Sequence, residues 1–172
     1  MTGYVALLRA VNVGGTSKLP MAKLKHIAEE AGFENARTYI ASGNLIVSSK
    51  LGENAVRTRL EAAVAAHMGK PVPVIVRTAA EMAAAADANP FKDAPRRRVL
   101  ATFLGAPPPK DALRDVRGHD GERLALGKRE IYVDYCGALL GRSKLRIPAA
   151  AAGTARNMNT VQKLAEMAGG PV

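Results

Sequence analysis

Residues 4 to 21 decide the fold, and they read YVALLRAVNVGGTSKLPM. The stretch begins with an apolar run, Tyr4 to Ala10, which predicts a buried β-strand. A loop with two glycines, two hydroxyls and a lysine comes next. Pro20 then opens a helix, because the first helical turn does not need the N–H that proline lacks. The loop therefore joins a strand end to a helix start.

The chain up to residue 77 continues with alternating strand and helix signals. Apolar residues at three- and four-residue steps predict two amphipathic helices, and Ser42-Gly43-Asn44 is a hairpin signal between two strands. The predicted elements are a strand at 4–10, a helix at 20–31, strands at 36–41 and 45–49, a helix at 56–68 and a strand at 72–77. This β-α-β-β-α-β order is that of a ferredoxin-like unit.

The remainder of the chain predicts a similar order that stops one strand short. Its predicted elements are a helix at 79–88, a strand at 98–104, a short helix at 111–116, strands at 123–126 and 131–135, and a helix at 157–168. We therefore predict an α+β protein, a tandem duplication of two ferredoxin-like (βαββαβ) subdomains with the second incomplete. The expected divisions are 1–77, a helix and linker at 78–97, and 98–172, together in one compact unit.

Composition narrows the class of protein. No apolar run approaches the roughly 20 residues that a membrane span needs, and the N-terminus lacks a signal-peptide pattern, so we expect a cytoplasmic protein without a membrane partner. Cys136 is the only cysteine, which leaves no internal disulfide. Together with three scattered histidines it gives no metal-ligand spacing, so no metal and no cofactor are predicted.

The formal net charge of +10 has two interpretations. Basic and acidic residues number 10 and 6 up to residue 86, and 15 and 9 after it, so the charge does not form a tail. A basic surface attracts phosphates or nucleic acid. Alternatively, the charge reflects a composition rich in Ala, Arg and Gly. Aromatic residues make up only 4%, and no nucleic-acid reader motif is present.

The loop after the first strand is the main candidate binding site. Glycines let the backbone approach a ligand, and basic side chains supply positive charge for an anion. The candidate residues are Arg9, Asn12, Gly14, Gly15 and Lys18. Their spacing matches neither a dinucleotide fingerprint nor a P-loop. The alternative is a plain strand-to-helix turn in which the glycines take positive φ.

The hairpin turn supplies a second group of candidates. Tyr39, Ser42 and Asn44 would present hydrogen-bonding groups beside the first loop, although a simple hairpin explains Ser42 and Asn44 equally well. No base or acid lies close in sequence to form a nucleophile pair.

A third group lies in the densest basic region, near the last helix. Lys144, Arg156, Asn157 and Lys163 would contact phosphate or nucleic acid. The alternative is a solvated basic face, with Asn157 as an ordinary N-cap. The run Arg96 to Arg98 is interpreted as a solvated strand entry. Glu130 and Asp134 are interpreted as exposed strand residues.

Several of these segments together resemble a known family. They are residues 4–15, Pro20-Met21, residues 37–44, Ser143-Lys144-Leu145 and residues 154–164. The chain is similar over essentially its whole length to a widespread bacterial family of small proteins defined only as a domain of unknown function. The resemblance implies an α+β duplication of two ferredoxin-like subdomains. It implies no activity, cofactor or catalytic residue.

The chain departs from the family pattern in three places. Ala10 stands where glycine is usual, and Met158 stands where tryptophan is usual. The segment 146–152 is shorter than typical, and we expect it to lack a helix. A stacking role for an aromatic side chain at position 158 is therefore not expected here.

Three functions follow in order of preference. The first is a binding module for a phosphate-bearing or other anionic ligand at loop 9–18, such as a phosphorylated small molecule or a nucleotide. The alternative is a nucleic-acid-binding protein acting through its basic surface. The third is an enzyme using the same cleft, for which no reaction is indicated; we lean against it because no nucleophile and base are paired.

Overall fold

Two four-stranded antiparallel sheets organise the chain in the computed structural model, which describes residues 1–15, 17–137 and 140–169. With helices on the same chain, this confirms the predicted mixed α+β class. The chain divides into two units, one formed by Met1–Ala83 with Lys163–Val172 and the other by Ala84–Gln162. Each unit contains one of the sheets.

The first unit contains four strands and two complete helices. They are β1 (Thr2–Leu8), α1 (Met21–Glu30), β2 (Glu34–Thr38), β3 (Asn44–Ser49), α2 (Glu53–Met68) and β4 (Val74–Thr78). The strand order in the sheet is β2-β3-β1-β4, with every neighbouring pair antiparallel. Both helices end within one residue of the predicted C-terminal ends, and Gly32 and Gly69 after them have left-handed backbone conformations.

The core of the first unit explains the continuous apolar run of β1. Alternate residues Tyr4, Ala6 and Leu8 pack in a buried cluster with the apolar faces of α1 and α2. The intervening residues Val5 and Leu7 are fully buried as well. A strand buried on both faces loses the polar alternation of a surface strand, which is why its sequence is apolar throughout.

Strand β1 ends two residues earlier than predicted. The strand was expected to reach Ala10, but the N–H of Leu8 donates to the carbonyl of Gly43 and that of Arg9 to the carbonyl of Pro73. Ala10 has a φ of 57°, a left-handed value that no strand tolerates. The predicted strand 36–41 is likewise displaced, because β2 ends at Thr38 and Ile40 has a φ of 52°.

The second unit holds the other sheet. Its strands are β5 (Val99–Phe103), β6 (Arg123–Leu126), β7 (Glu130–Asp134) and β8 (Thr154–Asn157), and the flanking helices are α3 (Ala79–Asp87) and α4 (Met158–Gly169). The order β6-β7-β5-β8 repeats that of the first sheet, second-third-first-fourth. Val99, Ala101 and Phe103 are buried on one face of β5. On the same face, the Tyr132 hydroxyl donates to the carbonyl of Ala85 at 2.7 Å.

Two predictions for the second half are wrong. The sheet does have a fourth strand, β8, whose four mostly polar residues run directly into α4 and carry no strand periodicity. The predicted helix at 111–116 is a series of turns. Its local hydrogen bonds, from Ala112 to Pro109 and from Arg114 to Asp111, span three residues and do not continue into an α-helix.

The boundaries between the units fall inside α3 and α4. The first boundary, after Ala83, lies within the predicted helix and linker at 78–97. The second boundary lies inside the predicted range 98–172, because the chain from Lys163 onward belongs to the first unit. There, Arg37 Nη2 donates to the carbonyl of Met167 at 2.6 Å. The carbonyl oxygen of Ala168 lies so close to Gly3 that an added Cβ would be 2.8 Å away.

Candidate functional site

The Asn12 side chain holds the loop after β1 in place. Its Nδ2 donates to the carbonyls of Leu19 at 2.9 Å and Ala41 at 2.7 Å, and its Oδ1 accepts from the N–H of Leu19 at 2.7 Å. One amide group thereby connects the start of the loop, the entrance to α1 and the hairpin turn. The structure thus brings loop 9–18 and turn 39–44 together, as the first two candidate groups required.

The turn itself is stabilised by Asn44. Its side-chain Nδ2 donates to the carbonyl of Tyr39 at 3.0 Å and to the Ser42 hydroxyl oxygen at 2.9 Å. Asn44 is fully buried, and Gly43 beside it has a φ of 87°. The side chains of Asn12 and Asn44 therefore hold the backbone of the site in place. An ordinary hairpin and turn would use its asparagines in the same way.

The loop backbone is unusually rich in left-handed residues. Positive φ values occur at Ala10 (57°), Asn12 (55°), Gly14 (59°), Gly15 (75°) and Ser17 (52°). The positive φ of both glycines, which the plain-turn alternative predicts, is confirmed. Thr16 lies outside the described residues. Non-glycine residues in this region are disfavoured and persist only where the surroundings hold them. The bonds of Asn12 supply that restraint.

Three cationic residues lie in the loop or contact it. Lys18 is exposed and Arg9 is half-buried at the end of β1. Lys70, which sequence reasoning missed, donates a hydrogen bond from Nζ to the Ser17 hydroxyl. Lys70 follows the glycine that ends α2, and nothing in its local sequence indicates a neighbour 53 residues away. Gly14 and Gly15 are exposed, with open space where a Cβ would stand.

Replacing Ala10 by Gly is expected to stabilise the protein. A left-handed alanine costs about 1–2 kcal/mol, and the greater freedom of glycine in the unfolded chain offsets up to about 1 kcal/mol of the gain. We expect the free energy of unfolding in urea to rise by up to about 1 kcal/mol. Ala62→Gly in the middle of α2 is the matched control and should lose about 1 kcal/mol. Equal losses in both variants would contradict the strain at Ala10.

The third candidate group is not exposed throughout. Lys144 is exposed in the second unit, and Lys163 is exposed on α4 in the part that belongs to the first unit. Arg156 is buried on β8, where Nη1 donates to Thr154 Oγ1 at 2.7 Å and burial lowers the pKa of its guanidinium to about 10. Asn157 Oδ1 accepts from the N–H of Thr160 at 3.0 Å, which confirms the predicted N-cap.

The second unit contains a buried carboxylate that the sequence did not predict. Asp134 and Glu130 were expected to be exposed, but both are buried, Asp134 completely. Asp134 accepts hydrogen bonds from Nε of Arg98 and Nε of Arg123, each at 2.8 Å. Burial alone would raise the pKa of Asp134, but these bonds outweigh it and hold the pKa below its usual range.

The ion pairs of Asp134 extend to the protein surface through Arg123. Arg123 also forms two hydrogen bonds to the exposed Asp93, at 3.0 and 3.1 Å, and its guanidinium carbon lies 4.7 Å from the ring centre of Phe91. Arg98, expected in a solvated strand entry, is instead half-buried against Asp134, while Arg96 and Arg97 are exposed. Because the Asp134 carboxylate is fully buried and paired with two guanidiniums, we assign the cluster to stability.

Within residues 1–15, 17–137 and 140–169, no group of three or more His, Cys, Asp or Glu side chains is arranged to hold a metal ion. None of the helices formed by the described residues has the length and apolar character that crossing a bilayer requires. Cys136 Sγ lies 3.3 Å from Asp134 Oδ2, at the edge of the ion-pair cluster.

Comparison with known proteins identifies the family to which this chain belongs. Residues 1–132 match the model of a family described as "Protein of unknown function (DUF1697)". The chain belongs to this family, which confirms the resemblance drawn from its motifs.

A solved structure is similar over nearly the whole chain. It is "The structure of conserved bacterial protein SP0830 from Streptococcus pneumoniae", at 25% sequence identity and a TM-score of 0.76. The similarity covers 96% of this chain and 98% of that one. The search of curated proteins found no match.

Proposed function

We propose that this protein is a binding module for a small phosphate-bearing anion, held at loop 9–18. The observation that carries the proposal is the run of left-handed residues clamped by Asn12. A loop that stores backbone strain and is fixed at both ends is a preorganised structure of the kind found at binding sites. A plain turn between β1 and α1 accounts for the positive φ of Gly14 and Gly15, but it does not require left-handed values at Ala10 and Ser17.

The chemistry of the loop favours an anion. Lys18 is exposed, Lys70 is tied to the loop through Ser17, and Arg9 lies at the end of β1. Gly14 and Gly15 leave the backbone open to close approach by phosphate oxygens. The side chains of Asn12 and Asn44 are occupied by the backbone, which favours a binding role over a catalytic one.

Calorimetric titration tests this proposal with pyrophosphate and ATP, and with sulfate as the reference anion. We expect a phosphate compound to bind more tightly than sulfate. Lys18→Ala should weaken that binding about tenfold, the value of one charge-assisted hydrogen bond of about 1.4 kcal/mol. Lys50→Ala, an exposed lysine that follows β3, is the matched control and should bind as the wild type does. Equal affinities for sulfate and both phosphates would refute the proposal.

Nucleic-acid binding is the competing function, and a separate experiment tests it. Its basis is the net charge of +10, with Arg96 and Arg97 exposed before β5. Retention of single-stranded DNA that persists at physiological salt and falls linearly on a logarithmic salt scale would favour it. Retention that disappears below physiological salt would contradict nucleic-acid binding and would show that the basic charge reflects composition alone.

We propose further that the two units arose by duplication of a ferredoxin-like subdomain. The shared strand order second-third-first-fourth supports this origin. The first unit has the complete βαββαβ order of elements. In the second, turns at 111–116 and a single 3₁₀ turn at Pro148–Ala150 stand where the first unit has helices.

A further inference from the structure

The second unit contains a cleft of about 440 Å³ on one face of its sheet. Thr102, Val133 and Tyr135 form its floor. They share a face because Thr102 is opposite Ile131 in the register, and residues 131, 133 and 135 alternate with the buried Tyr132. The segment 145–151 crosses this face and forms a wall. The volume lies within the range of about 300–1,000 Å³ for small-molecule sites.

The cleft is open because little structure covers the sheet there. The segment 146–152 was expected to lack a helix, and it contains only the 3₁₀ turn Pro148–Ala150. One such turn covers less of a sheet than an α-helix, which presents a wide apolar stripe. On the floor of the cleft, Thr102 and Tyr135 are partly exposed to solvent, whereas Val133 is buried.

Two arginines face each other across a short bridge at the cleft. Arg117 and Arg146 form an antiparallel pair, with backbone N–H to carbonyl distances of 2.9 and 2.8 Å. Both are exposed and both line the cleft. Like charges at directly opposite positions repel. Within the part of the chain that the structure describes, neither guanidinium forms an ion pair, although Arg146 Nη1 donates to the carbonyl of Leu145 at 2.9 Å. A bound anion would remove the repulsion.

Glu122, the acid whose charge acts on Tyr135, is already engaged in hydrogen bonds. Glu122 accepts hydrogen bonds from the Ser143 hydroxyl at 2.6 Å and from the N–H of Asp120 at 2.7 Å. These bonds hold the pKa of Glu122 below its usual range. Its charge acts on Tyr135, but Glu122 does not line the cleft. The arginines therefore remain the charged groups that a ligand in the cleft would meet.

Apart from the arginines and the hydroxyl-bearing Thr102 and Tyr135, the lining is apolar. Its apolar members are Val133, Leu145, Ile147, Pro148, Ala150 and Ala151. An apolar lining with a few polar groups at one side is typical of sites for small organic molecules. A bare inorganic anion would leave this lining exposed to water, and an uncharged apolar molecule would leave the arginines without a partner.

We propose that this cleft binds a small amphipathic anion, an apolar chain or ring that carries one carboxylate or phosphate. The apolar part lies on Val133 and Ile147, and the charged group lies between Arg117 and Arg146. The proposal is independent of anion binding at loop 9–18, because every lining residue belongs to the second unit.

Calorimetric titration with four probes tests the proposal: octanoate, octyl phosphate, octanol and inorganic phosphate. We expect octanoate or octyl phosphate, or both, to bind at least about tenfold more tightly than octanol and inorganic phosphate. A preference between the two amphiphiles identifies the charged group as carboxylate or phosphate. Binding of octanol equal to that of both amphiphiles, or no binding of either amphiphile, overturns the proposal.

Variants then locate the binding. Arg117→Gln and Arg146→Gln should each weaken binding about tenfold. Arg142→Gln, an exposed arginine that does not line the cleft, is the matched control and should leave binding unchanged. Ala151→Trp at the exposed rim should block entry, with circular dichroism and thermal unfolding used to show that the variant folds. Amphiphile binding that survives all three cleft substitutions would place the site elsewhere and refute the proposal.

Discussion

Replacing Asp134 by Asn is expected to lower the free energy of unfolding by about 3 kcal/mol, the lower end of the range for breaking a buried ion pair. Asp134 is fully buried and pairs with Arg98 and Arg123. The amide keeps the shape but loses the charge, so two arginines would face a neutral group. Urea unfolding measures the loss. Asp93→Asn, at the exposed end of the same cluster, is the control and should change stability little.

The ion pairs of Asp134 also determine how the stability of the protein depends on pH. The pKa of Asp134 is lower in the folded protein than the value near 3.9 in the unfolded chain. Its contribution is therefore complete above about pH 4 and is lost as the pH falls through the folded pKa. Between pH 5 and 2 the wild type should lose stability more steeply than Asp134→Asn. Parallel curves for the two proteins would contradict this assignment.

Replacing Gly43 by Ala is expected to destabilise the protein by about 3 kcal/mol, combining about 1–2 kcal/mol for a left-handed alanine with the cost of overpacking. Gly43 has a φ of 87°. An added Cβ would lie 2.6 Å from Cγ2 of Val11 and 3.0 Å from Cβ of Leu8. Both neighbours are buried, so neither side chain can move away at low cost. Thermal or urea unfolding checks the value.

Gly52→Ala provides the matched control for Gly43. Gly52 precedes α2 with a φ of −77°, and an added Cβ would meet nothing within 4 Å. We expect its stability to change by less than about 0.5 kcal/mol. A similar loss in the two variants would show that the turn does not constrain Gly43 in the way described.

Regular elements with long periodic patterns were predictable from the sequence. The helices α1 and α2 follow from their apolar spacing and terminal glycines, and β1 follows from its apolar run. Strand β8 was not predictable, since its four residues carry no alternation and its pairing partner lies on β5. The burial of Asp134 was also hidden, because Arg98 lies 36 residues away and only the folded sheet brings the two together.

The sequence predicted which segments form the candidate site, but not the contacts between them. Glycine and turn residues marked loop 9–18 and turn 39–44, which do lie together. The role of Asn12 depends on backbone carbonyls that any residues could supply, so side-chain identities carried no signal of it. The cleft in the second unit was equally hidden, because Arg117 and Arg146 come together only through a bridge between distant segments.

The division of the chain between the units has a consequence for biosynthesis. The first unit consists of Met1–Ala83 and a return segment that begins at Lys163, so the whole second unit is inserted within it. A ribosome must therefore translate the entire second unit before the partner of Arg37, the carbonyl of Met167, exists. The contact spans 130 residues, and such distant contacts form slowly. We expect the nascent first unit to remain sensitive to proteolysis until this last segment has emerged.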